Sequence, residues 1–258
     1  MNKQFFFIAG LPRTGSTLLA NILLQNSDVH AEGSSALCSL AWSVSQECAH
    51  GQTVETLLAS RRFPDTMIDV VSSLPSIYYR AQHKKYIFDK NRKWCSLENM
   101  KIIRQSLNPD PKVVVLVREV DEVVKSLMHI DIENGKGCDP YDTYLSRENN
   151  PLLIDSVLSV RDALRDEKKE SYLFVSYDKL VEDTKEQVAR IYDFCGIPAF
   201  AHQFDEVADN NLEEDSVHGL QGLHSIRSVV SKREVDITLD KRSQMKCDEL
   251  SDLIREAL

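Results

Sequence analysis

Residues 10 to 17 read Gly-Leu-Pro-Arg-Thr-Gly-Ser-Thr and follow directly on the apolar run Phe5 to Ala9. The spacing is that of a phosphate loop, G-x-x-x-x-G-K-[ST], with Ser16 standing where the lysine belongs. A buried strand that turns through glycines into a helix leaves the first N–H groups of that helix without intrahelical partners and aims them at one spot, which suits an anion. Strand, glycine turn and helix in this order are the start of a parallel sheet with helical crossovers. The missing lysine adds a second constraint. In a nucleoside triphosphatase it reaches the β- and γ-phosphates, so this loop keeps anion binding without triphosphate chemistry, and its ligand is a smaller or differently shaped anion.

Four short runs have the continuous apolar, β-branched or aromatic character of buried parallel strands: Phe5 to Ala9, Tyr86 to Phe88, Val113 to Val117 and Tyr172 to Val175. Helical patterns follow them near Ser16 to Gln25, Ser96 to Leu107, Val120 to Ile130 and Lys179 to Phe194, the last stopped by Gly196 and Pro198. The alternation implies right-handed crossovers and an α/β fold with helices on both faces of the sheet. The chain is expected to form one domain, residues 1–258, with a helical insertion at about 33–82 that builds the wall of a substrate cleft. Its helices are expected around Ser35 to Ala49, Val54 to Arg62 and Thr66 to Ser73, with Trp42, Tyr78 and Tyr79 available to line the cleft. Asp131 to Asn150 reads as an exposed loop and Leu239 to Leu258 as a closing helix.

Composition narrows the function classes. Asp and Glu outnumber Lys and Arg by 40 to 31, a net charge of −9, and no basic run tracks a nucleic-acid backbone, so no nucleic-acid partner is expected. Cys38, Cys48, Cys95, Cys138, Cys195 and Cys247 lack paired C-x-x-C spacing and read as free, mostly buried thiols. The apolar stretch near the amino terminus is short and runs straight into the phosphate loop, so it reads as a strand rather than a signal peptide. No segment approaches the ~20 apolar residues of a membrane span. A cytoplasmic protein in a reducing compartment, without a membrane partner, is the expectation.

The chemistry concentrates at two places. Backbone N–H groups of Thr14 to Thr17, the hydroxyls of Ser16 and Thr17 and the positive helix end converge on one anionic group, and Arg13 adds a full charge. The strand Val113 to Val117 ends in Arg118, with Ser126 about two helical turns on and roughly on the same side. Arg118 is placed either to bridge to Glu122 or to share a second phosphate with Ser126, and the latter implies a ligand with two separated anionic groups.

These residues carry a family resemblance. Phe7 to Leu19 resembles the 5′-phosphosulfate loop of sulfotransferases that use 3′-phosphoadenosine 5′-phosphosulfate (PAPS). Arg118 and Ser126 match that family's 3′-phosphate motif in type and spacing. Val175 to Val181, running on to Tyr192 to Pro198, is similar to its strand, Y-E-D-L turn and F-L-G-x-P helix end, with Asp178, Lys179 and Cys195 as departures. The likeness spans residues 4 to about 198, with an echo at His224-Ser225-Ile226-Arg227, and in style is nearest the tyrosylprotein and bacterial-type enzymes.

The resemblance implies a P-loop NTPase-like parallel sheet flanked by helices, PAPS as sulfuryl donor and PAP, its desulfated form, as product. It implies that Arg13, Thr14, Gly15, Ser16, Thr17, Arg118, Ser126, Tyr177 and Arg227 hold the nucleotide. Ser16 and Lys90, the latter in a D-K motif, would attend the migrating group, and Glu32 would be the base in preference to His30. Arg227 and Lys232 would close over the nucleotide from the carboxy-terminal segment. The acceptor is a hydroxyl on a small molecule, sugar, lipid or peptide. A sulfuryl group carries less charge than a phosphoryl group and can be handled by cations, hydroxyls and N–H groups, so no metal is expected. The alternatives are a small-molecule or nucleotide kinase, which would need the missing lysine, and a non-catalytic nucleotide-binding module.

Overall fold

Strand β1 (Gln4–Gly10) alternates its side chains between two separate cores. Phe7 and Ala9 join one, Phe6 and Ile8 the other, which is why the run is apolar without a break. The computed structural model describes residues 3–137, 139–210, 215–226, 229–232 and 235–258. Cys138 and Arg227 lie outside them.

Among the described residues the other strands are β2 (Val29–Ala31), β3 (Tyr86–Lys90), β4 (Val113–Val117) and β5 (Tyr172–Ser176), all parallel, in the order β2-β3-β1-β4-β5. The expected α/β class is observed. The predicted apolar runs are β1, β3, β4 and β5, while β2, three residues long, has no run to announce it.

Helix α1 (Ser16–Leu23) crosses the face holding Phe6 and Ile8, where Leu19, Ile22 and Leu23 are wholly buried. Each such side chain contributes about 2 kcal/mol. Helix α6 (Val120–Glu133), after β4, packs on the opposite face through Val120, Val123 and Val124. The chain thus leaves β1 and β4, adjacent strands, towards opposite faces, and a crevice opens at their carboxyl ends.

Between β2 and β3 stand α2 (Leu37–Ala49), α3 (Gly51–Ala59) and α4 (Asp65–Tyr78), the expected helical insertion. After β3 comes α5 (Leu97–Ile102), continued by a π-helical turn, Ile103–Leu107, in place of one unbroken helix. The stretch expected as a loop from Asp131 is partly structured. A turn at Tyr141–Leu145 buries Tyr144 and Leu145, and the Tyr144 hydroxyl donates to Asp131 Oδ2. Helix α7 (Pro151–Arg165) follows, capped by Asn150, whose side chain accepts from the Leu152 N–H.

The helix expected over Lys179 to Phe194 is two, α8 (Tyr177–Glu182) and α9 (Thr184–Cys195). Asp183 leaves helical geometry and accepts from the Glu186 N–H at 3.2 Å, ending one helix and capping the next. Helix α10 (Lys241–Asp252) starts at Asp240, which accepts from the Arg242 and Ser243 N–H groups. It packs on α6, and Ser251 Oγ accepts from the Val120 N–H at 3.1 Å. Burial pushes the free thiols of Cys95, Cys195 and Cys247 up to about 12, which leaves them unreactive at neutral pH. Among the described residues no helix is long and apolar enough to cross a membrane.

Candidate active site

At the carboxyl end of β1 the backbone passes through Gly10 at φ 118, Arg13 at φ 59 and Gly15 at φ 76. A Cβ on Gly10 would lie 1.9 Å from Leu116 O on β4, so only glycine fits there. Just beyond it Leu11 N donates to that same carbonyl at 2.9 Å. Gly15 is the N-cap of α1, and no side chain caps this helix end. Alternating left-handed residues with an uncapped helix start make a concave nest of N–H groups. Arg13, with a side chain, holds the left-handed conformation at a strain cost of order 1 kcal/mol.

This nest opens into a cleft of about 600 Å³ along the carboxyl edge of the sheet. Arg13, Thr14, Gly15, Ser16 and Thr17 all border it. The Thr14 hydroxyl donates to Leu11 O at 2.8 Å and so braces the loop, leaving its backbone to face the cleft. Arg118, Ser126 and Tyr177 border the same cleft.

The two motifs interlock. Arg13 Nε donates to Ser126 Oγ at 3.2 Å, Arg13 Nη1 donates to Leu223 O, and Arg118 Nη1 donates to Arg13 O at 3.1 Å. Arg118 is buried, stacks 4.2 Å over the Tyr177 ring, and donates through Nε to Glu122 Oε2 at 3.0 Å. The ion pair to Glu122 therefore forms while Arg118 still borders the cleft. Glu122 also meets Lys232 at 3.3 Å, and Lys232 pairs with Asp178 at 2.8 Å. Hydrogen bonding to Asp178 and then Glu122 outweighs partial burial and holds the Lys232 ammonium above its ordinary range. Arg227, expected alongside it, lies outside the described residues.

Lys90 ends β3 and borders the cleft, buried but for a few per cent. Beside it Asp89 points into the core, where it accepts from Ser35 Oγ at 2.5 Å, Tyr79 Oη at 2.6 Å and Trp94 Nε1 at 2.6 Å. Burial raises its pKa, and the three donors oppose that rise. With Ser35 N donating to Lys90 O and Asn91 Nδ2 to Ser35 O, this carboxylate fastens the loop after β2 to the end of β3.

Other expectations meet a different arrangement. His30 Nε2 and Glu32 Oε1 lie 2.8 Å apart, paired with each other, and neither borders the cleft, whose wall on that side is Ser34. Nor do Trp42, Tyr78 and Tyr79 line it. Trp42 is partly exposed, Tyr78 accepts from the Ala36 N–H, and the Tyr79 hydroxyl is committed to Asp89. From residues 33–82 only Ser34 reaches the cleft. Its far wall is instead Leu127, Ile130 and Asp131 of α6, Thr143 and Tyr144 of the turn, and a carboxy-terminal stretch around Leu223 and His224. His224 was legible only as part of a faint motif echo, and its partner Asp215 had no sequence signal.

Among the described residues no group of three His, Cys, Asp or Glu side chains is gathered for a metal ion. The structure superimposes on the sulfotransferase domain of the Synechococcus PCC 7002 olefin synthase with TM-score 0.63 and 18% identity, covering 100% of this chain and 96% of that one. A sulfotransferase from Alicyclobacillus acidocaldarius gives 0.57 and 12%, covering 99% and 96%. Mouse sulfotransferase SULT7A1, complexed with PAP, gives 0.57 and 13%, covering 99% and 84%. At these identities the likeness is one of fold. No curated protein sequence matches the chain. The sequence does match the model of the sulfotransferase family over residues 6–202, a span that takes in the nest, Lys90, Arg118, Ser126 and Tyr177. By that match the chain belongs to the sulfotransferase family.

Proposed function

We propose that the protein transfers a sulfuryl group from PAPS to a hydroxyl of an acceptor. The observation that carries this reading is a phosphate nest without a lysine, facing the same cleft as a second cationic clamp. A nucleotide with anionic groups at both its 5′ and 3′ ends matches two such sites, and the SULT7A1 neighbour was solved with PAP. When bound, PAPS supplies an activated sulfuryl group for in-line displacement, a reaction that cations and N–H donors can stabilise without a metal.

The residues divide the work as follows. N–H groups of the nest with Ser16 and Thr17 hold the 5′ anion, and Arg118 and Ser126 take the 3′-phosphate. Tyr177 packs on the clamp from behind and meets the nucleotide; Arg227 is assigned to the same ligand. Lys90, kept from bulk water by burial, offers its ammonium to charge developing between the sulfuryl group and the departing phosphate. The cleft is expected to receive an acceptor hydroxyl along the α6 wall.

Calorimetric titration of the purified protein tests this. Micromolar PAP binding that needs no metal, with ATP and magnesium weak, is the expected result. Tight magnesium-dependent ATP binding without a response to PAP would replace the reading with a kinase. Tight PAP binding with no release of PAP from PAPS would leave a nucleotide-binding module instead.

A further inference from the structure

We infer that the acceptor is a hydroxyl compound with an apolar body and a protonated amine, and that Asp131 binds the amine. This rests on the sulfotransferase reading and names the substrate class for the same cleft.

Charge divides the cleft into two ends. Lys90 ends β3, Arg92 follows two residues later, Arg118 comes straight after β4, and Arg13 lies in the loop after β1, so the cations gather along the carboxyl edge of the sheet. Among the described residues that line the cleft Asp131 is the one carboxylate, and it stands on the α6 wall. Ser126, assigned to the 3′-phosphate, is on the same helix, and Asp131 lies about 7.5 Å further along its axis. A nucleotide drawn to the cationic end is repelled at the other, which leaves Asp131 to the acceptor. Leu127, one turn before Asp131, and Ile130 beside it give that stretch of wall an apolar surface.

Asp131 lacks what its neighbours have. The other three carboxylates of α6 each meet a basic side chain: Asp121 meets Lys125 at 2.7 Å, Glu122 meets Arg118 at 3.0 Å, and Glu133 meets His129 at 3.0 Å. The Asp131 side chain meets the Tyr144 hydroxyl and, among the described residues, no basic group. Lys136 gives its backbone N–H to Asp131 O at 2.8 Å but sends its ammonium to Gly219 O at 2.9 Å. No basic residue stands in the last turn of α6, so the negative end of the helix dipole adds to the Asp131 charge instead of offsetting it. A tie between α6 and the Tyr144 turn needs only an acceptor oxygen, which asparagine would supply. A full negative charge at this helix end costs stability, and a cationic ligand docked on it answers both the carboxylate and the dipole.

Calorimetric titration of the full chain loaded with PAP tests this with two sets of probes of matched body. Tyramine is compared with para-ethylphenol and para-hydroxyphenylpropionate, and aminohexanol with hexanol. In at least one set the amine should bind about tenfold or more tighter than its neutral partner, with the acid weakest. Raising the salt should narrow that difference. Asp131→Asn keeps an oxygen for the Tyr144 hydroxyl and should bring amine and neutral probe within about twofold of each other. In turnover with PAPS the loss should appear in KM rather than kcat. Failure of both amines to bind, equal binding of amine and neutral probe, an acid that binds best, or an amine preference that survives in Asp131→Asn overturns the assignment. In those cases PAP still binds and the sulfotransferase reading stands; a parent that fails to bind PAP removes both.

Discussion

The loop after β1 and the clamp after β4 sit at the ends of neighbouring strands and share one cleft, yet they are made of different material. The loop is backbone: its shape is set by Gly10, Arg13 and Gly15 in left-handed conformations and by the start of α1. The clamp is side chain: Arg118 is turned by Glu122, Tyr177 and Arg13 O, and Ser126 by Arg13 Nε. A backbone site is fixed as soon as the sheet forms. A side-chain site keeps alternative partners within the protein, and any ligand must compete with them.

The largest effect expected from this contrast is at Gly10. In Gly10→Ala the added carbon meets the Leu116 carbonyl, and β1 can relieve it only by parting from β4. A loss above about 4 kcal/mol follows, seen as insoluble protein or a Tm lower by about 10 °C. A parental Tm in thermal unfolding would mean that the loop is softer than a backbone-built site should be.

At the clamp the effect should fall on binding more than on the fold. Arg118→Ala removes the charge-assisted contact to a 3′-phosphate and should weaken PAP by more than tenfold, about 2 kcal/mol. It also frees Arg13 O and unstacks Tyr177, so stability should fall by about 1 kcal/mol in urea unfolding. Arg118→Lys keeps charge without the planar fork and should fall between. Parental PAP affinity in Arg118→Ala would remove the second site from the reading.

The same contrast explains what was legible in the sequence. The nest is local, eight consecutive residues after an apolar strand, and strand, glycines and helix start could be read directly. Helix α7 was readable in principle, from the Asn150 cap, Pro151 at its first position and apolar residues at Leu153, Ile154, Val157 and Val160, but its polar approach hid it. The cleft wall was not readable, because it depends on which distant pieces meet. Tyr78 and Tyr79 are adjacent and aromatic, yet one lies at the surface and the other is claimed by buried Asp89. Tyr144 and His224 reach the cleft through turns that only tertiary contacts define. Arg118 was the instructive middle case: it forms the ion pair to Glu122 and borders the cleft in the same structure.

That double role gives the smallest and most discriminating prediction. Glu122 bonds both Arg118 and Lys232, so one carboxylate occupies the clamp arginine and a lysine beside it. An incoming phosphate is repelled by that charge and must share its partners. Arg118 stays oriented without Glu122, because Arg13 O and the Tyr177 ring hold it from two other sides. Glu122→Gln should therefore tighten PAP by about threefold, some 0.6 kcal/mol, the scale of one partly exposed ion pair. Raising the salt should shrink the difference, since the competition is electrostatic and the pair is not sealed from solvent. Calorimetry at two ionic strengths reads both effects. Weaker PAP binding in Glu122→Gln would mean that the carboxylate aims Arg118 more than it competes for it, and the clamp would then be as preorganised as the backbone nest beside it.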